Sequence, residues 1–182
     1  MKQGKRRAWK FLFYAALLFL LDVVTKYWVE THLLKVDYAY PFYPYGGIGI
    51  FQNFLGIDFT INRISNAGGA WGIFSSYPIA LLYLRIGIIF SLFIYTIFFN
   101  KERKKSIPLM LILLGASANV LDFFIYGSVV DMFHFMLGNY SFPVFNVADM
   151  MIFFGVSTLL IQSILEKFKP AKRSHAYQSS EN

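Results

Sequence analysis

Four apolar segments, each long enough to cross a bilayer core, constrain this chain more than any other feature. They run over about Trp9–Val29, Ile79–Phe99, Ile107–Gly127 and Val147–Phe168, and a hydrocarbon core takes about 20 mainly apolar residues as a helix. The first follows a basic stretch but continues into "DVVTKYWVE" rather than a small-residue cleavage site, so it reads as an uncleaved span. Charge is segregated between the spans. One basic cluster holds Lys2, Lys5, Arg6, Arg7 and Lys10, a second Lys101, Arg103, Lys104 and Lys105, and a third Lys167, Lys169, Lys172 and Arg173. Four spans put all three clusters on one side, which the positive-inside rule makes cytoplasmic, together with both termini. The expected fold is a four-transmembrane-helix bundle over residues 1–168, a single membrane domain, followed by a disordered polar tail at 169–182.

Composition narrows the chemistry. The chain is 57% hydrophobic and 15% charged, against about 25% charged in soluble proteins. Its net charge of +7 does not imply nucleic acid, because no basic face interleaved with aromatics lies on a soluble element. There are no cysteines, which removes disulfides, thiolate nucleophiles and Cys-based metal sites. No cofactor is expected.

Two connections face outward, Glu30–Pro78 and Ser128–Asn146. The first contains "VDYAYPFYPYGG", the composition of an aromatic belt at headgroup level. It then gives "IDFTIN", Ile57 to Asn62, alternating apolar and polar as a half-buried strand does. "GIGIFQ" can pair with it across the turn "NFLG", forming a small sheet on the outer surface.

Polar residues inside spans are costly and mark function or pairing. Asp22 and Lys26 stand four apart in span one, where a helix-surface ion pair explains them as well as a functional role does. Arg85 in span two can snorkel to the interface or serve the chemistry. Gly115, Asn119, Asp122 and Tyr126 share one face of span three. They can bind helices together, with Asp122 paired to Arg85 or Lys26.

Asp131 follows span three and Asp149 opens span four, so a short outer connection brings two carboxylates together. Such a pair suits aspartic proteolysis: one carboxyl stays protonated while the other takes a proton from water. Simpler readings stay open. Asn146 can be an N-cap and Asp149 the N3 residue of a capping box, beside a solvated Asp131. Asp131, His134 and Asp149 can be read as a metal site, and Lys26 with Ser65 or Ser75 as a hydrolase pair. A transporter relay through Asp22, Asp122 and Arg85 is a further alternative. Asn66, in a Gly-rich turn with Gly68 and Gly69, is a turn residue or an amide offered to a substrate main chain.

In this order, "DVVTK" (Asp22–Lys26), "NAGGAWGIF" (Asn66–Phe74), "GASANVLD" (Gly115–Asp122), "YGSVVD" (Tyr126–Asp131) and "FPVFNVAD" (Phe142–Asp149) resemble the bacterial lipoprotein signal peptidases, or type II signal peptidases, over about residues 9 to 168. The resemblance implies an intramembrane aspartic endopeptidase with Asp131 and Asp149 as its catalytic pair. Such an enzyme cuts diacylglyceryl-modified prolipoproteins before the lipidated cysteine. It also implies that Asp22, Lys26, Asn66, Gly115, Asn119, Asp122 and Asn146 line or brace the site, and that the outer loop holds a β-cradle and a mobile segment. Expected partners are the prolipoprotein, membrane lipids and the cyclic peptide inhibitor globomycin, with no nucleic acid and no metal. A monomer in the bacterial cytoplasmic (inner) membrane, with its active site at the outer, periplasmic face, is expected.

The chain departs from the family pattern at three positions. Phe123 replaces an arginine, Ala118 a glycine and Met150 a commoner serine. Arg85 or Arg63 is the expected substitute for the missing arginine, and an inactive scaffold is the reading if none exists. The helix dipole favours an ionised Asp149 and a protonated Asp131.

Overall fold

The computed structural model describes residues 2–36, 40–69 and 73–168, with side chains of 2–10 and 12 excepted. The tail at 169–182, part of the aromatic stretch at 37–39 and part of the Gly-rich turn at 70–72 lie outside the described residues.

Among the described residues there are four α-helices: α1 (Lys2–His32), α2 (Pro78–Ile94), α3 (Arg103–Tyr126) and α4 (Val147–Lys167). A π-turn over Tyr95–Phe99 continues α2. Among the described residues, three helical segments are long and apolar enough to cross a membrane: Pro78–Phe99, Arg103–Tyr126 and Val147–Lys167. Helix α1 begins before and ends after the span read at Trp9–Val29.

Helix α3 packs along α4, α1 lies against both, and α2 lies against α3. Two glycines set the α3–α4 spacing. A Cβ on Gly115 would fall 2.5 Å from the Ala148 carbonyl oxygen, and one on Gly155 would fall 2.7 Å from the Pro108 carbonyl oxygen. Small residues at such crossings let backbones approach where lipid offers no hydrophobic drive between helices. Gly127 then ends α3 in the left-handed region (φ 78°), its N–H donating to the Phe123 carbonyl over 3.0 Å.

Among the described residues, the connections before α2 and before α4 form one antiparallel sheet in the order β1-β2-β3-β4: Ile48–Phe54, Ile57–Asn66, Val129–Leu137 and Tyr140–Ser141. The first hairpin is where the sequence places it. Leu55 and Gly56 make its two-residue turn with φ of 54° and 78°, the geometry that matches strand twist. Strand β2 runs four residues past the expected Asn62, to Asn66.

The connection Ser128–Asn146, read as a plain outer loop, instead supplies β3 and β4. Strand β3 pairs with β2 from Ile57↔Leu137 to Asn66↔Val129, with a register shift between Ile61 and Ile64. Alternation along β3 separates two sets of side chains. Val130 and Met132 are buried with Val29 of α1, against Leu33 and Tyr126. Asp131, Phe133 and Phe135 occupy the alternate positions, where Phe135 stacks on Phe59 with ring centres 4.4 Å apart.

Candidate active site

The opening of α4 is where several helices and the sheet converge. Asn146 is its N-cap: the side-chain Oδ1 accepts the Asp149 N–H over 2.8 Å, while the Asn146 N–H donates to Asp149 Oδ2 over 3.3 Å. This reciprocal capping box satisfies two donors that the helix itself cannot. Asp22 of α1 satisfies a third, its Oδ1 accepting the Ala148 N–H over 2.7 Å. The Asn146 amide has a second function. Its Nδ2 donates to Asp131 Oδ1 over 2.7 Å, and also to Asn119 Oδ1 and the Val130 carbonyl.

Asp131 arrives on β3 and is 2% exposed. Its second oxygen accepts from Asn66 Nδ2 over 2.8 Å, and Asn66 is itself held in the turn by the Gly68 N–H. The Asn66 amide therefore braces a carboxylate as well as its own turn. Burial, and then the charge of nearby Asp149, pushes the Asp131 carboxyl up to about 7. Asp149 Oδ1 accepts from Asn119 Nδ2 over 2.7 Å.

Below the carboxylates sits a closed charge triad. Lys26 Nζ lies 2.7 Å from both Asp22 Oδ2 and Asp122 Oδ2, and 2.9 Å from Asn119 Oδ1. Asp22 and Lys26 are thus an i, i+4 pair, as the spacing suggests, but a fully buried one that reaches α3. Lys26, not Arg85, is the partner of Asp122. An ammonium fastened by two carboxylates is not a free amine base, so the hydrolase pair with Ser65 or Ser75 has no support. The proposed relay is likewise broken, because Arg85 donates to the Gly68 carbonyl over 2.7 Å instead of joining the triad.

A cavity of about 590 Å³ opens over the acidic pair. Asp131, Asp149, Asn66, Asn119 and Arg85 supply its polar groups, and Phe142 to Phe145, Met150, Phe153 and Phe154 much of its apolar wall. His134 is not part of it. Three residues from Asp131 on a strand, it points to the other face and contacts Ser141 over 3.0 Å. Among the described residues no three His, Cys, Asp or Glu side chains converge as a metal site requires. Arg63 is also elsewhere, bonded to Glu30 and to the Leu33 carbonyl, and does not replace the missing arginine. Among the described residues the cation that lines the cavity is Arg85.

The apolar wall was missed in the sequence because Phe and Val after a proline carry no chemical signature. The bracing of Asp131 by Asn66 carries no short-range signal, because it depends on the register in which β2 pairs with β3.

Apolar helices around buried, amide-braced carboxylates at a cavity mark a membrane-embedded enzyme, and its class follows from comparison. The chain belongs to the signal peptidase II family, whose model matches residues 14–165, and it is a protease. It is similar to the lipoprotein signal peptidase of Chlamydia pneumoniae, 38% identical over 64% of this chain and 68% of the relative. It is also similar to that of Campylobacter jejuni subsp. jejuni serotype O:6, 34% identical over 92% of this chain and 97% of the relative. A solved bacterial membrane enzyme shares its fold with a TM-score of 0.70 at 24% identity, over 93% of this chain and 94% of that one. A second gives 0.64 at 25% identity, over 85% and 92%.

Proposed function

We propose that this chain is an intramembrane aspartic endopeptidase that removes signal peptides from diacylglyceryl-modified prolipoproteins, cutting before the lipidated cysteine. The observation that carries the reading is the Asn146 side chain, which bonds Asp131 and caps the helix turn holding Asp149. A capping asparagine needs no carboxylate on its amide. The relatives' name supplies the substrate class.

In the proposed reaction, water sits between the two carboxyls. The ionised Asp149 takes its proton as the oxygen attacks the carbonyl carbon before the cysteine. The protonated Asp131 gives its proton to the developing oxyanion. Collapse of the tetrahedral carbon breaks the C–N bond, the leaving amine takes the proton from Asp149, and the second proton returns to Asp131. Signal peptide acid and lipidated amino terminus separate, and the pair is regenerated.

The remaining parts of the reading concern the membrane. Helix α1 is the fourth span, with its Asp22 and Lys26 neutralised inside the bundle. The basic clusters lie on the cytoplasmic side and the sheet on the outer side of the cytoplasmic membrane. There the acyl chains keep the scissile bond at the bilayer surface. The protein works as a monomer, without metal, and a globomycin-type cyclic peptide occupies the cavity.

Purified protein is mixed with a diacylglyceryl-modified prolipoprotein, and wild type is compared with Asp131→Asn and Asp149→Asn. A gel shift for wild type that both folded variants lose is expected. Cleavage surviving either substitution would refute the pair.

A further inference from the structure

Lys26 Nζ carries three N–H donors and no acceptor. Two of its contacts are to carboxylates, Asp22 Oδ2 and Asp122 Oδ2, and the third is to Asn119 Oδ1. The ammonium is fully buried. As mere packing this is an expensive choice, since a buried ionic cluster is often no more stable than an apolar one of equal volume. The third contact gives the cluster a purpose.

An asparagine amide can present either end to a neighbour. Here the choice is removed. Asn119 Oδ1 accepts from Lys26 over 2.9 Å and from Asn146 Nδ2 over 3.2 Å, so its own Nδ2 is turned to Asp149 Oδ1 over 2.7 Å. Reversal would set an N–H against an ammonium and an oxygen against a carboxylate. Asp149 then has a donor on each oxygen, Asn119 Nδ2 on one and the Asn146 N–H on the other, as Asp131 has from Asn146 and Asn66. Donors aimed at both oxygens favour the ionised carboxylate.

We infer that Lys26 is a positioning residue: fastened by Asp22 and Asp122, it locks the Asn119 amide toward Asp149 and keeps that donor on the Asp149 carboxylate. This rests on the acidic-pair reading above. The charged groups facing Asp149 are Asp131 from β3, Asp22 and Lys26 from α1, and Arg85 from α2, with Asp122 of α3 behind Lys26. Asp22 and Asp122 offset the Lys26 ammonium, so the oriented amide rather than net charge is what Lys26 contributes at Asp149.

Lys26→Met alone would strand two buried carboxylates, so the test uses Asp22→Asn/Lys26→Met/Asp122→Asn, which removes the charges together, and Asn119→Leu, which removes the amide alone. The pH dependence of kcat/KM is measured with a lipidated substrate in bilayers. In both variants the acidic limb should move up by about one pH unit, a change that loss of folded protein cannot produce. A folded variant with lowered kcat and an unmoved profile would overturn the inference. A neutron structure of the wild type answers even if neither variant folds: deuterons on the Asn119 side-chain atom that faces Asp149 are expected, and deuterons on the atom that faces Lys26 overturn it. If Asp131→Asn and Asp149→Asn still cleave, the acidic pair itself has failed. If they do not cleave but the profile is unmoved, this inference alone has failed.

Discussion

Gly115 of α3 lies directly beneath Ala148 of α4, so close that a Cβ on the glycine would stand 2.5 Å from the alanine's carbonyl oxygen and 3.1 Å from Met151 Cβ. Ala148 is the residue before Asp149, and its own N–H is held by Asp22. A methyl group at position 115 must therefore push the first turn of α4, and Asp149 with it. Gly115→Ala is expected to destabilise the fold by about 1–3 kcal/mol and to lower kcat more than it raises KM. Gly87→Ala is the control, since a Cβ there meets nothing within 4 Å. It should leave melting temperature unchanged or raise it slightly.

Asn146 separates capping from bracing. Serine at this position can still accept the Asp149 N–H but cannot reach Asp131 with a second donor. Asn146→Ser should melt close to wild type yet cleave about 10²-fold more slowly, whereas Asn146→Ala should lose about 1 kcal/mol of stability as well. Thermal unfolding and single-turnover cleavage of the three proteins check this.

Asp131 sets a pH window. Its carboxyl is pushed up to about 7 by burial and by Asp149, against about 3.9 in an unfolded chain. Between these values the folded protein binds the extra proton, so stability falls as pH rises from about 4 to about 7 and is level above. Asp131→Asn removes that dependence. Relative to wild type, its melting temperature should be higher at pH 8 than at pH 5. Equal differences at both pH values would mean that Asp131 is ionised throughout.

Among the described residues Arg85 is the cation that lines the cavity. Half-buried, it spends one donor on the Gly68 carbonyl and leaves its guanidinium lining the cavity. Arg85→Gln is expected to raise KM about tenfold, the loss of one charge-assisted contact. Arg63→Gln breaks the clip to Glu30 and the Leu33 carbonyl. It should lower the melting temperature with kcat unchanged. Equal KM values for wild type and Arg85→Gln would remove Arg85 from substrate binding.

Much of this arrangement was legible in the sequence because it obeys short-range rules. Asn146 and Asp149 are three residues apart, which is the capping-box interval, and the box is present. Gly115, Asn119, Asp122 and Tyr126 fall on one face by helical period, and three of them meet Lys26, Asp149 or α4 in the structure. The hairpin at Leu55–Gly56 was legible from its turn. What sequence left open was set by long-range pairing. Whether Asp122 takes Lys26 or Arg85 depends on how α1 and α2 are rotated against α3, which no local pattern encodes. Strand β3 has no local signal, because "VVDMFHF" is apolar on both faces apart from Asp131 and His134.

Asp131 and Asp149 stand on different bodies: one on the four-stranded sheet, the other at the tip of a helix long enough to cross a bilayer. The Asn146 side chain joins the two directly, its amide on Asp131 and its oxygen on the Asp149 N–H. On the proposed topology, with the sheet outside the hydrocarbon, a bilayer that misfits α3 and α4 tilts those helices against it. The gap between the carboxylates thereby becomes a gauge of membrane thickness. The same polypeptide should work fastest at one acyl-chain length and slow in lipids either shorter or longer.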